Sequence, residues 1–187
     1  MVQALPKSIA LEAFLQQPET EPASEYIDGQ IILKTMPQGK HSRLQKRLIY
    51  KIESIVLVTD AAEAFPELRC TFGGQSIVPD VVILQKHHIP HDPNGEIANS
   101  IEIAPDWMIE ILSPDQDYKK VAQKILHSLE QGSQMGWLID PEDKTVVVSP
   151  QNARSRLFGP LDAVLPVPNW AGDLQITVGE LFGWLLG

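Results

Sequence analysis

The sequence predicts an α/β (α+β) fold, a mixed central β-sheet flanked by helices with extra β hairpins. Three observations predict it. The segments around Val81-Val-Ile-Leu84 and Asp106-Trp-Met-Ile-Glu-Ile-Leu112 hold apolar runs suited to strands buried on both faces. Two segments, from His41 to about Val58 and from about Asp115 to Gln131, repeat apolar residues at helical spacing. The second helix lies between two strands, and such a crossover favours a mixed sheet covered by helices.

In chain order, Ser8 followed by Ile9, Leu11, Phe14 and Leu15 reads as a short N-capped helix, ended by the Pro18 to Pro22 region. Tyr26-Ile27 and Ile31-Ile32-Leu33 flank Asp28-Gly29, a hairpin signal. Leu44, Leu48, Ile52, Ile55 and Val56 form the apolar stripe of the next helix, whose other faces carry Lys40, Arg43, Lys46, Arg47 and Lys51. Glu67–Phe72 reads as a strand and Gly73-Gly74 as a turn, leading to a strand over Val78–Leu84. Residues 87–105, with Pro90, Pro93, Asn94, Gly95 and Pro105, form a long surface loop. Ser113-Pro114 stops the Asp106–Leu112 strand and, with Asp115, offers a cap for the following helix, which Gly132 closes. Strands follow at Met135–Ile139 and Thr145–Val148 around a turn at Asp140–Asp143. The stretch 150–172 is poorly periodic, and Val178–Leu186 forms a final apolar helix.

The chain of 187 residues suits one domain, 1–187, with a sizeable core. No apolar stretch approaches the length of a membrane span, and the N-terminus has no signal-peptide pattern. With one cysteine, Cys70, no internal disulfide is available. A cytoplasmic location is the expectation. The net charge of −9 argues against a bulk electrostatic footprint for nucleic acid. Six of the fifteen basic residues, however, lie within residues 30–52, where there is no acid. That stretch is either a phosphate-facing surface or the wet face of a helix.

Asp80 and Glu110 are the residues that point to chemistry. Burying an unpaired carboxylate costs several kcal/mol, so acids are poor choices beside these apolar runs. On neighbouring strands the two could share a hard divalent cation, with Mg²⁺ (or Mn²⁺) suited to carboxylates plus retained waters. Each could instead point to solvent or cap a turn. The histidines at 87, 88 and 91 match no helix or strand face and are set aside as ligands. A catalytic Ser113 has no evident base.

Pro79-Asp80-Val-Val-Ile, Glu110-Ile-Leu-Ser-Pro114, the helix with Lys124, and Gly136-Trp-Leu-Ile-Asp-Pro141 together resemble the Uma2 family of bacterial restriction-endonuclease-like proteins. Glu25-Tyr-Ile-Asp-Gly29, His41 and Gly179-Glu-Leu-Phe182 extend the resemblance over nearly the whole chain. It implies a PD-(D/E)xK nuclease fold in which Asp80 and Glu110 are the two acids of the motif. Leu112 stands where the motif lysine would be, and by the resemblance Lys124 replaces it; Lys120 and Lys119 compete for that role. From the flank of its helix, a long side chain at 124 could reach the strand end. The implied activity is Mg²⁺-dependent cleavage of DNA phosphodiesters. Asp80, Glu110, the Ile111 carbonyl and Glu25 would hold the metal, Lys124 would stabilise charge, and Lys40, His41, Arg43 and Arg47 would meet the nucleic acid. A homodimer is also implied. The alternative is a catalytically silent nuclease-fold protein that binds nucleic acid or serves assembly.

Overall fold

The computed structural model describes residues 9–114 and 116–186. Its strands fall into two sheets because the chain uses two kinds of strand, short half-exposed ones and fully apolar ones. The short ones come first. After helix α1 (Leu11–Leu15), β1 (Ser24–Ile27) and β2 (Gln30–Leu33) pair around Asp28-Gly29, both at positive φ (50° and 78°) as a two-residue primed turn requires. Helix α2 (Gly39–Val56) and strand β3 (Ala62–Pro66) follow. Strands β4 (Cys70–Phe72) and β5 (Gln75–Ile77) then complete a four-stranded antiparallel sheet in the order β2-β1-β5-β4.

The apolar strands build the larger sheet. Strands β6 (Val81–Gln85), β7 (Trp107–Ile111), β8 (Met135–Asp140), β9 (Thr145–Pro150) and β10 (Arg156–Phe158) join β3 in the order β10-β9-β8-β7-β6-β3. The β7–β8 pairing is parallel, bridged by helix α3 (Tyr118–Glu130), and the other pairings are antiparallel. The mixed, helix-flanked sheet expected from the sequence is therefore present. Helix α4 (Val178–Gly183) closes the described chain.

Strand alternation divides the core into two layers. Val81, Ile83, Trp107, Ile109 and Ile111 face Leu44, Leu48 and Ile52 of α2. Val82, Leu84 and Met108 face Val121, Ile125 and Leu129 of α3. Burial of each such side chain stabilises the fold by about 1.5–3 kcal/mol. The alternation matters for the acids: Asp80 and Glu110 share the parity of Val82 and Met108, so they belong to the α3 face. The antiparallel register pairs Val81 with Ile109, and one further step sets Asp80 opposite Glu110.

Several sequence expectations need correction. The strand expected over Val78–Leu84 begins only at Val81; the chain leaves the small sheet at Ile77 and enters the large one at Val81. Val78-Pro79-Asp80 is the link between them. The strand expected at Glu67–Phe72 shortens to β4, because Glu67 has φ 46° in a bend. Strands β3 and β10 carry too few large apolar residues to signal themselves. Asp117, not Ser113-Pro114-Asp115, caps α3, accepting from the Lys119 N–H; Asp115 itself lies outside the described residues. The α1 N-cap is Ala10, without a side-chain hydrogen bond, and Ser8 lies outside the described residues.

Helix α3 approaches the sheet closely over Gly136 of β8, where an added Cβ would collide with Ile125 Cγ2. This close approach sets how far Lys124 reaches. Gly136→Val is expected to push α3 outward and cost about 1–3 kcal/mol, read as a lowered thermal midpoint; an unchanged midpoint would show that the helix is not held at this point.

Candidate functional site

The site lies where the ends of β6 and β7 meet α3 and the small sheet. Pro79 and the crossover bring Asp80 to the strand end, and the apolar β7 run carries Glu110. Both are buried, at 2% and 1% exposure. The small sheet supplies Glu25 from β1 and Lys34 just beyond β2. Helix α3 supplies Lys124, and the first turn of α2 supplies His41.

Asp80 is held from three sides. Lys34 Nζ donates to its Oδ1 at 2.8 Å, the Ile111 N–H donates to Oδ2 at 2.7 Å, and His41 Nε2 lies 3.0 Å from Oδ2. Lys34 also donates to the Val78 carbonyl at 2.7 Å, and the Gln45 amide donates to the Asp80 carbonyl at 2.8 Å. Burial alone would raise the Asp80 pKa, but the His41 contact and the Lys34 charge outweigh it and hold the carboxyl well below the usual range.

Glu110 is placed differently. Lys124 Nζ lies 2.8 Å from its Oε1, an ion pair outside hydrogen-bonding geometry, and this buried oxygen has no hydrogen-bond donor among the described residues. Burial pushes the Glu110 carboxyl up to about 7; the Lys124 charge opposes this and Asp80 adds to it. Lys124 is itself 5% exposed and also donates to Glu25 at 3.0 and 3.2 Å, while the Val78 N–H donates to Glu25 Oε1 at 2.9 Å. Burial disfavours the Lys124 ammonium, but Glu110 and Glu25 prevail and raise its pKa.

These shifts fix a pH dependence. The raised Glu110 pKa means that the folded state holds this proton more tightly than the unfolded chain does. Its contribution to stability is complete below about 4.5 and is lost as pH rises through about 7. The metal-free protein is expected to lose on the order of 1–3 kcal/mol of stability between pH 5 and pH 8 from this group. Denaturant melts across that range check it; Glu110→Gln removes the slope.

The structure brings together Glu25, His41, Asp80, Glu110 and Lys124. Lys119 and Lys120 are exposed, and it is Lys124 that pairs with Glu25 and Glu110, while Lys120 borders the space beside them. His41, which the resemblance places toward the nucleic acid, is buried against Asp80. Lys40, Arg43 and Arg47 are exposed on α2, with Arg43 Nη1 3.5 Å from the Leu185 carbonyl. The sequence reading missed Lys34 as a site residue. Its signal was the β2 alternation, which puts Lys34 on the face of Ile32. Of the loop histidines, His88 serves structure: its Nδ1 lies 2.9 Å from buried Asp106, which also accepts from Gln85. Burial pushes the Cys70 thiol up to about 12, so it remains a neutral core residue.

Among the described residues no three of His, Cys, Asp and Glu stand at ligand spacing. The donor chemistry still fits a hard cation. Asp80 Oδ1 accepts one hydrogen bond, from Lys34, and Glu110 Oε1 faces the Lys124 ammonium without a hydrogen bond, so carboxylate oxygens from two adjacent strands could take a cation in competition with these two lysines. None of the described helices is long and apolar enough to cross a membrane.

Comparison with known proteins gives the frame for this geometry. No curated protein matches the chain. Among solved structures, a putative nuclease belonging to DUF820 from Anabaena variabilis ATCC 29413 is 53% identical, with a TM-score of 0.94, over 95% of this chain and 99% of that one. The family Uma2, described as "Putative restriction endonuclease", matches residues 11–179. The chain belongs to the Uma2 family.

Proposed function

We propose that this protein is a divalent-metal-dependent endonuclease that hydrolyses DNA phosphodiester bonds. The observation that carries the reading is the buried juxtaposition of Asp80, Glu110 and Lys124, which no requirement of the fold explains. Asp80 and Glu110, with the Ile111 carbonyl and Glu25 beside them, would hold Mg²⁺ or Mn²⁺. When bound, the ion supplies Lewis acidity at the phosphate and an acidified water. The ammonium of Lys124 stays charged and stabilises negative charge that develops on phosphoryl oxygens. Glu25 fixes Lys124 by its two contacts, and His41 and Ile111 fix the orientation of Asp80. Lys34 neutralises Asp80 and lies beside the path to the acids.

Supercoiled and single-stranded circular DNA, incubated with Mg²⁺ or Mn²⁺, test the reading. Cutting by the wild type and loss of cutting in Glu110→Gln and Lys124→Ala support it; equal cutting by all three overturns it. The second reading is the catalytically silent binding module. It is favoured by one observation, that Asp80, Glu110 and Glu25 are each already paired with a lysine. DNA binding without cleavage by a folded wild type would select it.

Lys40, Arg43 and Arg47 would contact the nucleic-acid backbone without reading sequence. Replacing all three by alanine is expected to flatten the salt dependence of binding to single-stranded DNA, lowering the log–log slope by about 2. An unchanged slope would remove α2 from the interface.

A further inference from the structure

The nuclease reading leaves open how a phosphate reaches carboxylates so deeply buried. A cleft of about 470 Å³ runs between the β1–β2 hairpin and α3, lined by Asp28, Gln30, Gln75, Gln123, Leu126 and His127, among others. A narrower space of about 100 Å³ adjoins it and shares Ile27, Ile32, Lys120 and Lys124 with it. That smaller space is bordered by Glu25 and by Lys34 and Lys124, the two lysines that contact Asp80 and Glu110. The two ends differ in charge. Lys34, Lys120 and Lys124 border the inner end beside Glu25 and Asp117, whereas the outer end keeps Lys120 and Lys124, lacks Lys34 and adds Asp28 and Glu130. The inner end therefore suits a phosphate better than the outer one does.

The outer end instead offers what a base uses. Gln30 and Gln123 expose amides from opposite walls, next to apolar Leu126. The His127 ring stacks on the buried Phe72 ring, with centroids 5.4 Å apart and planes 16° apart, which leaves the imidazole as the accessible part of a rigid flat surface. Gln75, 9% exposed, donates from Nε2 to Asp28 Oδ1 at 3.2 Å. The carboxylate fixes the amide orientation, and the buried Oε1 is left without a donor among the described residues. The volume is that of a small-ligand pocket, not of a duplex groove.

We propose that this cleft receives an unpaired nucleobase adjacent to the phosphate to be cut, so that the substrate is single-stranded or locally unpaired nucleic acid. The space of about 100 Å³ beside Lys34 and Lys124 is too narrow for the wide rod of a duplex, whereas a single strand can thread a phosphate into it and leave its base in the outer cleft; the cost of unpairing and unstacking is lowest where the strand is already unpaired. The inference rests on the nuclease reading for its phosphate and on the cleft for its base.

The test uses the full chain without added divalent ion and a fluorescent 15-nucleotide DNA strand in three forms: single-stranded, paired in a duplex, and carrying abasic sites. Anisotropy is expected to show the single strand binding at least about 10-fold tighter than the duplex and several-fold tighter than the abasic strand. In Gln30→Ala/Gln123→Ala, both exposed positions, the advantage over the abasic strand should fall below about twofold, with thermal stability retained. Equal binding of single strand and duplex, no binding at all, or a variant with an undiminished base preference would overturn the proposal. Base-dependent binding without cleavage of any DNA in Mg²⁺ or Mn²⁺ would instead overturn the nuclease reading and leave the base pocket standing.

Discussion

Lys124→Met is expected to lower the stability of the metal-free protein by about 3–5 kcal/mol at pH 8, with a fall in the thermal midpoint of roughly 10 °C. Lys124 lies between two buried acids, 3.0 Å from Glu25 Oε1 and 2.8 Å from Glu110 Oε1. Methionine keeps much of the packing volume and removes the charge, so Glu25 and Glu110 face one another without a cation. The cost should depend on pH. Below about pH 5 Glu110 is protonated in the folded state, because burial pushes its pKa up to about 7 even with Lys124 present. The deficit then shrinks. Adding Glu110→Gln to Lys124→Met should recover part of the loss, since one unpaired charge disappears, and the double-mutant cycle reads that coupling. A midpoint shift under about 2 °C at pH 8 would show that Lys124 does not carry this balance.

Asp80→Asn is expected to reduce DNA cleavage by about 10³-fold, on the order of 4 kcal/mol of transition-state stabilisation. The amide preserves shape and can still accept from the Ile111 N–H, but it lacks the charge that would bind a cation. It also leaves Lys34 and His41 facing a neutral group, so the variant should melt earlier than the wild type while keeping its circular dichroism spectrum. Lys34→Met separates the two effects. It removes the ammonium from Asp80 Oδ1 and should disturb stability and substrate affinity more than it disturbs the chemical step. Cleavage by Asp80→Asn within tenfold of the wild type would remove Asp80 from the chemistry.

The parts of this arrangement that the sequence revealed are those written in strong periodicities. The apolar runs around Val81 and Ile109 forced buried strands, and the stripe Val121, Ile125, Leu129 forced α3 onto them. Lys124 could then be placed on the flank of that stripe from helical geometry alone. The hairpin at Asp28-Gly29 was equally plain, since its turn needs residues that tolerate positive φ. What stayed hidden was tertiary. Nothing local announces that Ile77 and Val81 belong to different sheets, yet that crossover is what turns Asp80 toward Glu110. His41 looks like an ordinary polar residue at the start of a basic helix until the fold brings Asp80 to it. Lys34 was obscured by its basic neighbours, though the alternation of β2 already placed it on the inward face with Ile32. Strands β3 and β10 went unseen because Ala62, Ala64 and Phe65, or the short pair Leu157-Phe158, give too weak a hydrophobic signal.

We propose that Asp80 and Glu110, set opposite each other on neighbouring strands, together bind one divalent cation. The decisive experiment is calorimetric titration of Mn²⁺ into the wild type at pH 7.5, beside Asp80→Asn and Glu110→Gln. One bound ion per chain is expected in the wild type, with proton release on binding that grows as pH falls toward 7 and loss of binding in either variant. A wild type that binds no ion, or a full site persisting in both variants, would rule out a shared cation between the two acids.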